Sequence, residues 1–159
     1  AADFSRSVNF ASLIYVAGVL GMAALVTHSG LGAVLSAGLL AVIPLEPGAD
    51  ALNFASLTGA AAALGVISTM PGLPAILSPL AGELAGATGW PLVTVIMTQV
   101  VGFSVVFFPY QVPPLVVALQ LGNVRVAEAL RLSIPLALVT LAVLTPLNFL
   151  WWRLTGWIP

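Results

Sequence analysis

Long apolar stretches separated by short clusters of charged, glycine and proline residues organise this chain. The first apolar run covers 10–27, and a helix of that length at about 1.5 Å per residue nearly spans a hydrocarbon core of about 30 Å. A turn at 28–30 comes next, and a shorter apolar run over 31–45 ends among prolines and a glycine. The pattern therefore predicts a helix over 10–27 and a short helix over 31–45.

The third and fourth apolar regions are both interrupted in the middle. Region 51–85 has a Pro/Gly break at 68–74, which leaves two arms of roughly 12 to 17 residues that are short for a bilayer crossing. Region 90–120 would be about 46 Å long as a straight helix, but the prolines within 109–114 remove amide donors and disfavour helical backbone before them. We expect a re-entrant helical hairpin over 51–85 and a broken transmembrane helix over 90–120.

The last apolar run covers 132–152 and comes after a short amphipathic stretch. Arg125 and Arg131 flank that stretch, and we expect them at a membrane surface. Tryptophan is enriched at membrane–water interfaces, and three tryptophans lie at the end of the run, namely Trp151, Trp152 and Trp157. The sequence predicts a terminal helix over 132–152 that ends in an aromatic belt.

Composition supports a bilayer as the solvent of this chain. Hydrophobic residues make up 60% of the sequence and charged residues only 6%, whereas a soluble domain carries about 25% charged residues. Mean hydropathy is +1.15. We therefore expect 1–159 to form a single all-α integral membrane domain that is multi-pass in a cell membrane, the bacterial inner membrane in particular, with the lipid bilayer as its partner.

Charge and residue content also exclude several classes of function. The net charge is −1 without a basic patch, so we expect no nucleic-acid partner. The chain has no cysteine, no lysine and one histidine, His28. Because no nucleophile–base arrangement and no phosphate-binding loop with a lysine is present, we expect no enzymatic activity, no catalytic residues and no cofactor beyond a coupling ion.

The two breaks are the positions where chemistry is expected. Secondary transporters bind substrates and ions at discontinuous helices, where helix N-termini present amides to anions and unwound carbonyls coordinate cations. Proline and glycine are common in membrane helices, so two breaks favour a site more strongly than one. Thr94, Thr98 and Gln99 precede the second break, and they either form hydrogen bonds between helices or face the site.

The order of these elements resembles the C-terminal half of the divalent anion:sodium symporters, the dicarboxylate and citrate carriers of the ion transporter superfamily. The segment FSVVFFPYQVPPLVV at 103–117 is similar to the family's final unwound helix. The segments GNVR at 122–125 and IPL at 134–136 are similar to the family's next helix and the connection that leads to it. The resemblance extends over about 10–157.

The resemblance implies that substrate and ions bind at the two breaks. Family members carry Ser-Asn-Thr at the hairpin tip, where Ser68 and Thr69 are the counterparts here and the asparagine is absent. The family's Thr-Pro-Pro-Asn motif corresponds to Val112 through Leu115, with both flanking residues apolar. The expected site, with Na⁺ at the same loops, consists of Ser68, Thr69, Met70, Pro71, Ser104, Gln111, Val112, Pro113 and Pro114.

These features predict part of a secondary active transporter that moves a small anion, a carboxylate or similar, by symport with a cation, Na⁺ or H⁺. Inverted repeats build such carriers, and the chain has one hairpin and one broken helix. We therefore expect it to be the C-terminal repeat, as a fragment or split subunit, with the N-terminal half as its partner; the resemblance also implies a homodimer. The alternative is a non-transporting membrane scaffold or assembly subunit, which the apolar residues around Pro113 and Pro114 favour.

Overall fold

The computed structural model describes residues 28–68, 70 and 72–158, together with single positions at 14, 17, 18, 21 and 25. These residues form helices and turns, and none of them lies in a β-strand, so the all-α prediction is confirmed for this part of the chain. The predicted helix over 10–27 falls largely outside it. The α-helices are α1 Leu31–Val42, α2 Asp50–Ile67, α3 Gly72–Leu77, α4 Ala81–Thr88, α5 Leu92–Phe103, α6 Pro113–Leu121, α7 Val126–Val139 and α8 Thr145–Leu154.

Two of the described helices are long and apolar enough to cross a membrane. One is α2, with 18 residues and a mean hydropathy of 1.4. The other runs without interruption over Val126–Leu154, which joins α7 and α8 through a π turn at Thr140–Leu144, with a mean hydropathy of 1.8. Gly72–Thr88 and α5 form a third candidate only if they act together, since they are bent by 118°.

The helix boundaries differ from the predicted ones for identifiable reasons. Helix α1 ends at Val42 rather than at 45, because Pro44 forces the preceding Ile43 into extended backbone. The last helix begins at Val126 rather than at 132, because no breaker separates the amphipathic stretch from the apolar run. At about 1.5 Å per residue, its 29 residues extend about 43 Å, which is longer than a hydrocarbon core of about 30 Å.

The region predicted as a hairpin consists of two arms on either side of a break. Helix α2 ends at Ile67, and the path becomes helical again at Gly72. The second arm continues through α3, a 3₁₀ turn at Ser78–Leu80 and α4 to Thr88, where Gly89 adopts a left-handed conformation that ends the helix. The first arm, with 18 residues, has the length of a membrane span, and the second extends to Thr88 rather than to 85. The re-entrant path itself stays a prediction.

Helices α2 and α5 cross at a contact between small residues. A Cβ atom placed on Gly102 of α5 would overlap the Cβ of Ala61 and would lie 2.8 Å from the carbonyl oxygen of Thr58. Only glycine permits this approach, as is common where helices associate in lipid. The crossing holds the end of α5, after which the helical path is interrupted until Pro113, against the middle of α2.

An aromatic cluster closes the core at the other end of α2. Phe54 lies 5.3 Å, between ring centroids, from both Phe149 and Trp152. Trp152 is 8% exposed and its ring packs inside the protein, whereas Trp151 and Trp157 are exposed; the aromatic belt at a membrane interface stays a prediction. The Trp157 carbonyl also accepts a hydrogen bond of 2.9 Å from the Thr94 hydroxyl, which fastens the end of the described chain to α5.

Candidate functional site

The two breaks in the helical path meet each other. The backbone N–H of Met70, in the first break, donates a hydrogen bond of 2.8 Å to the carbonyl of Gln111, in the second. The Tyr110 hydroxyl donates to the carbonyl of Val66 in the last turn of α2. We call this meeting point, formed by residues 65–68, 70 and 107–112, the junction. Thr69 and Pro71 belong to the same predicted site but lie outside the described residues.

The Gln111 side chain is the centre of the junction. It is 3% exposed, and its Nε2 donates a hydrogen bond of 2.7 Å to the Gly65 carbonyl. Its Oε1 accepts hydrogen bonds from the amides of Phe107, at 2.8 Å, and Phe108, at 2.7 Å. The sequence predicts Gln111 as a ligand-binding residue; the structure places its side chain among three backbone groups that the break leaves without helical partners.

Glycine at position 65 suits this arrangement. A Cβ there would lie 3.4 Å from Nε2 of Gln111 and 3.6 Å from Leu73, which is van der Waals contact, so an alanine would fit and little space remains for a longer side chain on that side. The missing side chain leaves the Gly65 carbonyl accessible to a partner from the second break. A small residue before the first break and a glutamine in the second therefore form one structural unit.

The last helix also holds the unwound backbone of the second break. Ser133 of α7 donates a hydrogen bond of 2.8 Å to the Phe107 carbonyl. The rings of Phe108 and Tyr110 stack at 5.6 Å with an interplanar angle of 10°. Ser133 was not among the residues predicted from the sequence; the signal for it is a serine in the otherwise apolar start of the terminal run, two positions before Pro135.

The N-terminus of α6 offers no free amide to an anion. Pro113 and Pro114 occupy its first positions and carry no N–H. The next two amides, of Leu115 and Val116, both donate to the Val112 carbonyl, at 2.8 and 3.3 Å. The positive end of this half-helix is therefore used internally, and any anion at the junction would need donors from elsewhere.

Ser104 lies apart from the junction, beside the π turn of the last helix. Its hydroxyl donates a hydrogen bond of 2.6 Å to the Val100 carbonyl of its own helix. It lines a pocket of about 210 Å³ together with Thr140, Thr145 and Asn148. Because Pro146 has no N–H, a carbonyl in this stretch lacks its helical donor, and π turns of this kind often occur at functional positions.

Three polar residues of α5 have separate roles, which the sequence left open. Thr94 forms a hydrogen bond between elements, whereas the Thr98 hydroxyl donates to the Val95 carbonyl of its own helix at 2.7 Å. Gln99 accepts a hydrogen bond of 3.3 Å from the Ser78 hydroxyl, and its buried Nε2 has no partner within the described residues. These hydrogen bonds connect α5 to other elements or to itself, and not to the junction.

Neither a cluster of ligating side chains nor a known relative identifies what binds here. Among the residues that the structure describes, no three His, Cys, Asp or Glu side chains come together as a metal site. No known protein-family model, curated protein or solved structure matches the chain. The resemblance to the divalent anion:sodium symporters therefore stays a prediction from the sequence.

Proposed function

We propose that this chain is the membrane-embedded C-terminal repeat of a secondary active transporter that moves a small anion, with Na⁺ or H⁺ as coupling ion. One observation carries the proposal: two interruptions in apolar segments that are distant in sequence meet at the junction, through Met70 and Gln111. We further propose a multi-pass location in the bacterial inner membrane, in keeping with the apolar helices of spanning length.

Broken helices are costly in lipid unless their backbone groups find partners. Irregular backbone at membrane depth persists only where protein or a water-filled cavity satisfies it. Carriers use such breaks as binding sites because backbone dipoles supply partial charges without a buried ion. A protein that needed only an anchor would have no use for two breaks held against each other, and this favours a carrier.

The two breaks would have different tasks in binding. Since α6 has no free N-terminal amide, we assign the anion to the segment 68–71, with Ser68 and Thr69 as side-chain donors. The coupling cation would be held by oxygens of the second break, with Ser104 at its edge. This division is based on the chemistry of prolines, which remove donors and leave carbonyls in place.

The repeat would be completed by a second half. Inverted-repeat carriers bind their substrate between two halves, and in the most apolar part of Val126–Leu154 only 11% of the residues are buried within this chain. The side chains of Thr140, Thr145 and Asn148 line a pocket on this little-buried helix. Polar groups are costly against lipid, so a protein partner on this side fits better than acyl chains.

Ligand-dependent stability in mild detergent, measured on the chain purified together with its second half, tests the proposal. Small carboxylates and sulfate are titrated in NaCl, KCl and choline chloride, and at two pH values, while thermal unfolding is monitored. A true ligand at 100 times its Kd stabilises by about 2.7 kcal/mol. We expect this stabilisation to depend on Na⁺ or on pH. A folded complex of both halves that shows no shift with any anion contradicts the carrier proposal.

A matched pair of variants locates the binding. Ser104→Ala removes a hydroxyl whose structural bond is only to its own helix, and Ser56→Ala removes one that donates to the Pro44 carbonyl far from the breaks. We expect Ser104→Ala to weaken the cation dependence and Ser56→Ala to leave it unchanged. Equal effects of the two variants on the cation dependence would contradict a cation site at the second break.

Reconstitution in liposomes tests the completing half. We expect no uptake above background by this chain alone, because alternating access needs both repeats around the site. Co-reconstitution with the second half should restore uptake. Transport by the isolated chain would contradict the proposed incompleteness but not the transport function.

A scaffold or assembly subunit is the second candidate, and one observation favours it. The polar atoms of Gln111 are engaged with three backbone groups, and α6 has no free amide, so the described part of the junction is largely satisfied without a ligand. Such a junction would simply fix a bent shape. Co-purification of a stable complex, together with the absence of any anion- or sodium-dependent shift, would decide for this function.

A further inference from the structure

A pocket lies beside the junction, between the second break, α6 and the start of α7, and it shares Phe108 and Tyr110 with the junction. Its volume is about 410 Å³, which is within the range of small-molecule sites, about 300–1,000 Å³. One wall consists of the stacked rings of Phe108 and Tyr110, and Leu119 and Leu130 contribute from the helices on either side. The floor and walls are thus predominantly apolar.

The rim of this pocket is polar. Gln120, Asn123 and Arg125 lie along it, around the turn that connects α6 to α7. Asn123 has a left-handed backbone with φ of 54°, which directs the chain sharply from one helix into the other. The pocket is therefore amphipathic, with its polar groups at the helix ends and its apolar surface along the helices.

Arg125 carries the positive charge of the rim and keeps donors available. Its Nε and Nη2 both donate to a single oxygen, Oε1 of Glu128, at 2.9 and 2.5 Å. A guanidinium has more N–H groups than these two contacts use, and the side chain is 81% exposed. Arg125 is also the N-cap of α7, so the positive end of that helix dipole adds to its charge.

We propose that this pocket binds an anionic phospholipid, with the phosphate at Arg125 and Asn123 and an acyl chain along the wall of Phe108 and Leu119. The proposal rests on the membrane location proposed above and not on transport. The pocket has an arginine at a helix end and long apolar side chains beside it. A charged headgroup can bind at the arginine while the attached acyl chain packs along the apolar side chains. The bilayer supplies this ligand at high local concentration.

The ion pair between Glu128 and Arg125 favours a lipid over a free anion as the ligand of this pocket. The Glu128 carboxylate reduces the attraction of Arg125 for any phosphate, that of a lipid included, so charge alone holds a small hydrated anion such as inorganic phosphate only weakly. A lipid gains in addition from apolar contact in the pocket, because burial of hydrocarbon is favourable independently of charge. The ion pair thus makes the site depend on the tail as well as on the headgroup.

Binding to the full chain in detergent tests the site, measured by native mass spectrometry and by thermal stabilisation. The probes are phosphatidylglycerol, phosphatidylcholine with the same acyl chains, and inorganic phosphate. We expect phosphatidylglycerol to bind most tightly and inorganic phosphate to have no effect. Equal binding of the two lipids removes the anionic headgroup from the proposal, and competition by phosphate alone would assign a free-anion site instead.

Three charge variants test whether the lipid binds at this pocket. We expect Arg125→Gln to weaken phosphatidylglycerol binding about tenfold, the loss of one charge-assisted contact. Arg131→Gln makes the same change in net charge outside the pocket lining and should leave binding unchanged. Glu128→Gln should strengthen binding, because it frees the guanidinium. A loss with Arg131→Gln equal to that with Arg125→Gln overturns the site, and so does an unchanged affinity in Glu128→Gln.

The apolar wall has its own variant. Leu119→Ala should weaken binding of long-chain phosphatidylglycerol more than that of a short-chain analogue, because it shortens the surface along the tail. An equal loss for both chain lengths would contradict the placement of the acyl chain. Lipid binding without anion-dependent stabilisation would leave this site in place and remove the carrier proposal, so the two failures are distinguishable.

Discussion

Helix α2 and the last helix, Val126–Leu154, are both apolar enough to cross a membrane, but they are buried very differently. In the most apolar 18-residue part of each, 39% of the residues are buried in α2 and 11% in the last helix. Helix α2 contacts α5 through Ala61 and Gly102 and contributes Phe54 to the aromatic cluster. The last helix meets the rest of the chain at fewer positions, among them Ser133, the buried Ala137 and Trp152.

The difference shows that hydropathy alone does not predict whether an apolar helix is buried against the rest of the protein. Both helices would partition into lipid, since transfer favours their side chains equally. Helix α2 has the closest contact between small residues, at Ala61 and Gly102, and close packing rather than apolar character drives association in lipid. Stability should therefore depend on the surroundings of α2 far more than on the surface of the last helix.

The largest effect is expected at the junction, where Gln111→Leu removes partners from the Phe107 and Phe108 amides and from the Gly65 carbonyl. Each buried polar group left unpaired costs about 1–3 kcal/mol, so the three groups together predict a loss of roughly 3–9 kcal/mol. Unfolding with a denaturing detergent measures it. Tyr110→Phe is the milder comparison, since it deletes one hydroxyl and keeps the stacked ring; an equal loss in both variants would contradict the central role of Gln111.

Next in size is the contrast between a buried and an exposed leucine. Leu73 is fully buried next to α2, whereas Leu136 on the last helix is 65% exposed. Leu73→Ala should cost about 2–5 kcal/mol of unfolding free energy, from lost contacts and the cavity. Leu136→Ala should change it by less than about 0.5 kcal/mol. A large loss for Leu136→Ala in detergent would indicate that a second copy covers that face.

A smaller effect is expected where α2 and α5 cross. Gly102→Ala introduces a Cβ that overlaps Ala61, and overpacking of this kind costs about 1–3 kcal/mol. The control is Gly59→Ala on α2, where a Cβ meets nothing within 4 Å. That change should be neutral or stabilise by about 0.5–1 kcal/mol through helix propensity. If both variants behave alike, the crossing is not close-packed in solution.

The smallest effect is expected in the π turn of the last helix. The Thr145 hydroxyl donates a hydrogen bond of 3.0 Å to the Thr140 carbonyl, and Thr155 donates similarly to Trp151 at an exposed end. Thr145→Val should cost about 0.5–1.5 kcal/mol, and should speed amide hydrogen exchange around Thr140. Thr155→Val should leave both quantities unchanged. Equal exchange rates in the Thr145 variant and the parent would show that the hydroxyl does not hold the turn.

Much of the local structure could be predicted from the sequence because its causes are local. Pro44 ends α1 through its own sterics, and Gly89 ends α4 by adopting a conformation that other residues avoid. The prolines of 109–114 likewise coincide with the interruption between α5 and α6. The extension of the last helix to Val126 shows the limit of this reasoning, since a change from polar to apolar residues is not a helix boundary.

The candidate site was only partly predictable. The positions of the prolines indicate that Gln111 lies in a break. They do not indicate that its side chain forms a hydrogen bond with Gly65, 46 positions earlier in the chain. Nothing in the local pattern distinguishes Trp152, which is buried, from Trp151, which is exposed. Such differences depend on which face of a helix meets another element, and a nearly uniform apolar sequence carries little information about that.

The sequence by itself determined that the chain is helical and apolar enough for a membrane, and where its helices are interrupted, because propensity, hydropathy and proline sterics act within a few residues. Only the tertiary structure decided that the interruptions meet, that Gln111 satisfies their backbone, and that the prolines of α6 leave no amide free. Those outcomes depend on backbone groups that lose their helical partners and must find others in three dimensions, since unpaired groups are too costly to remain buried.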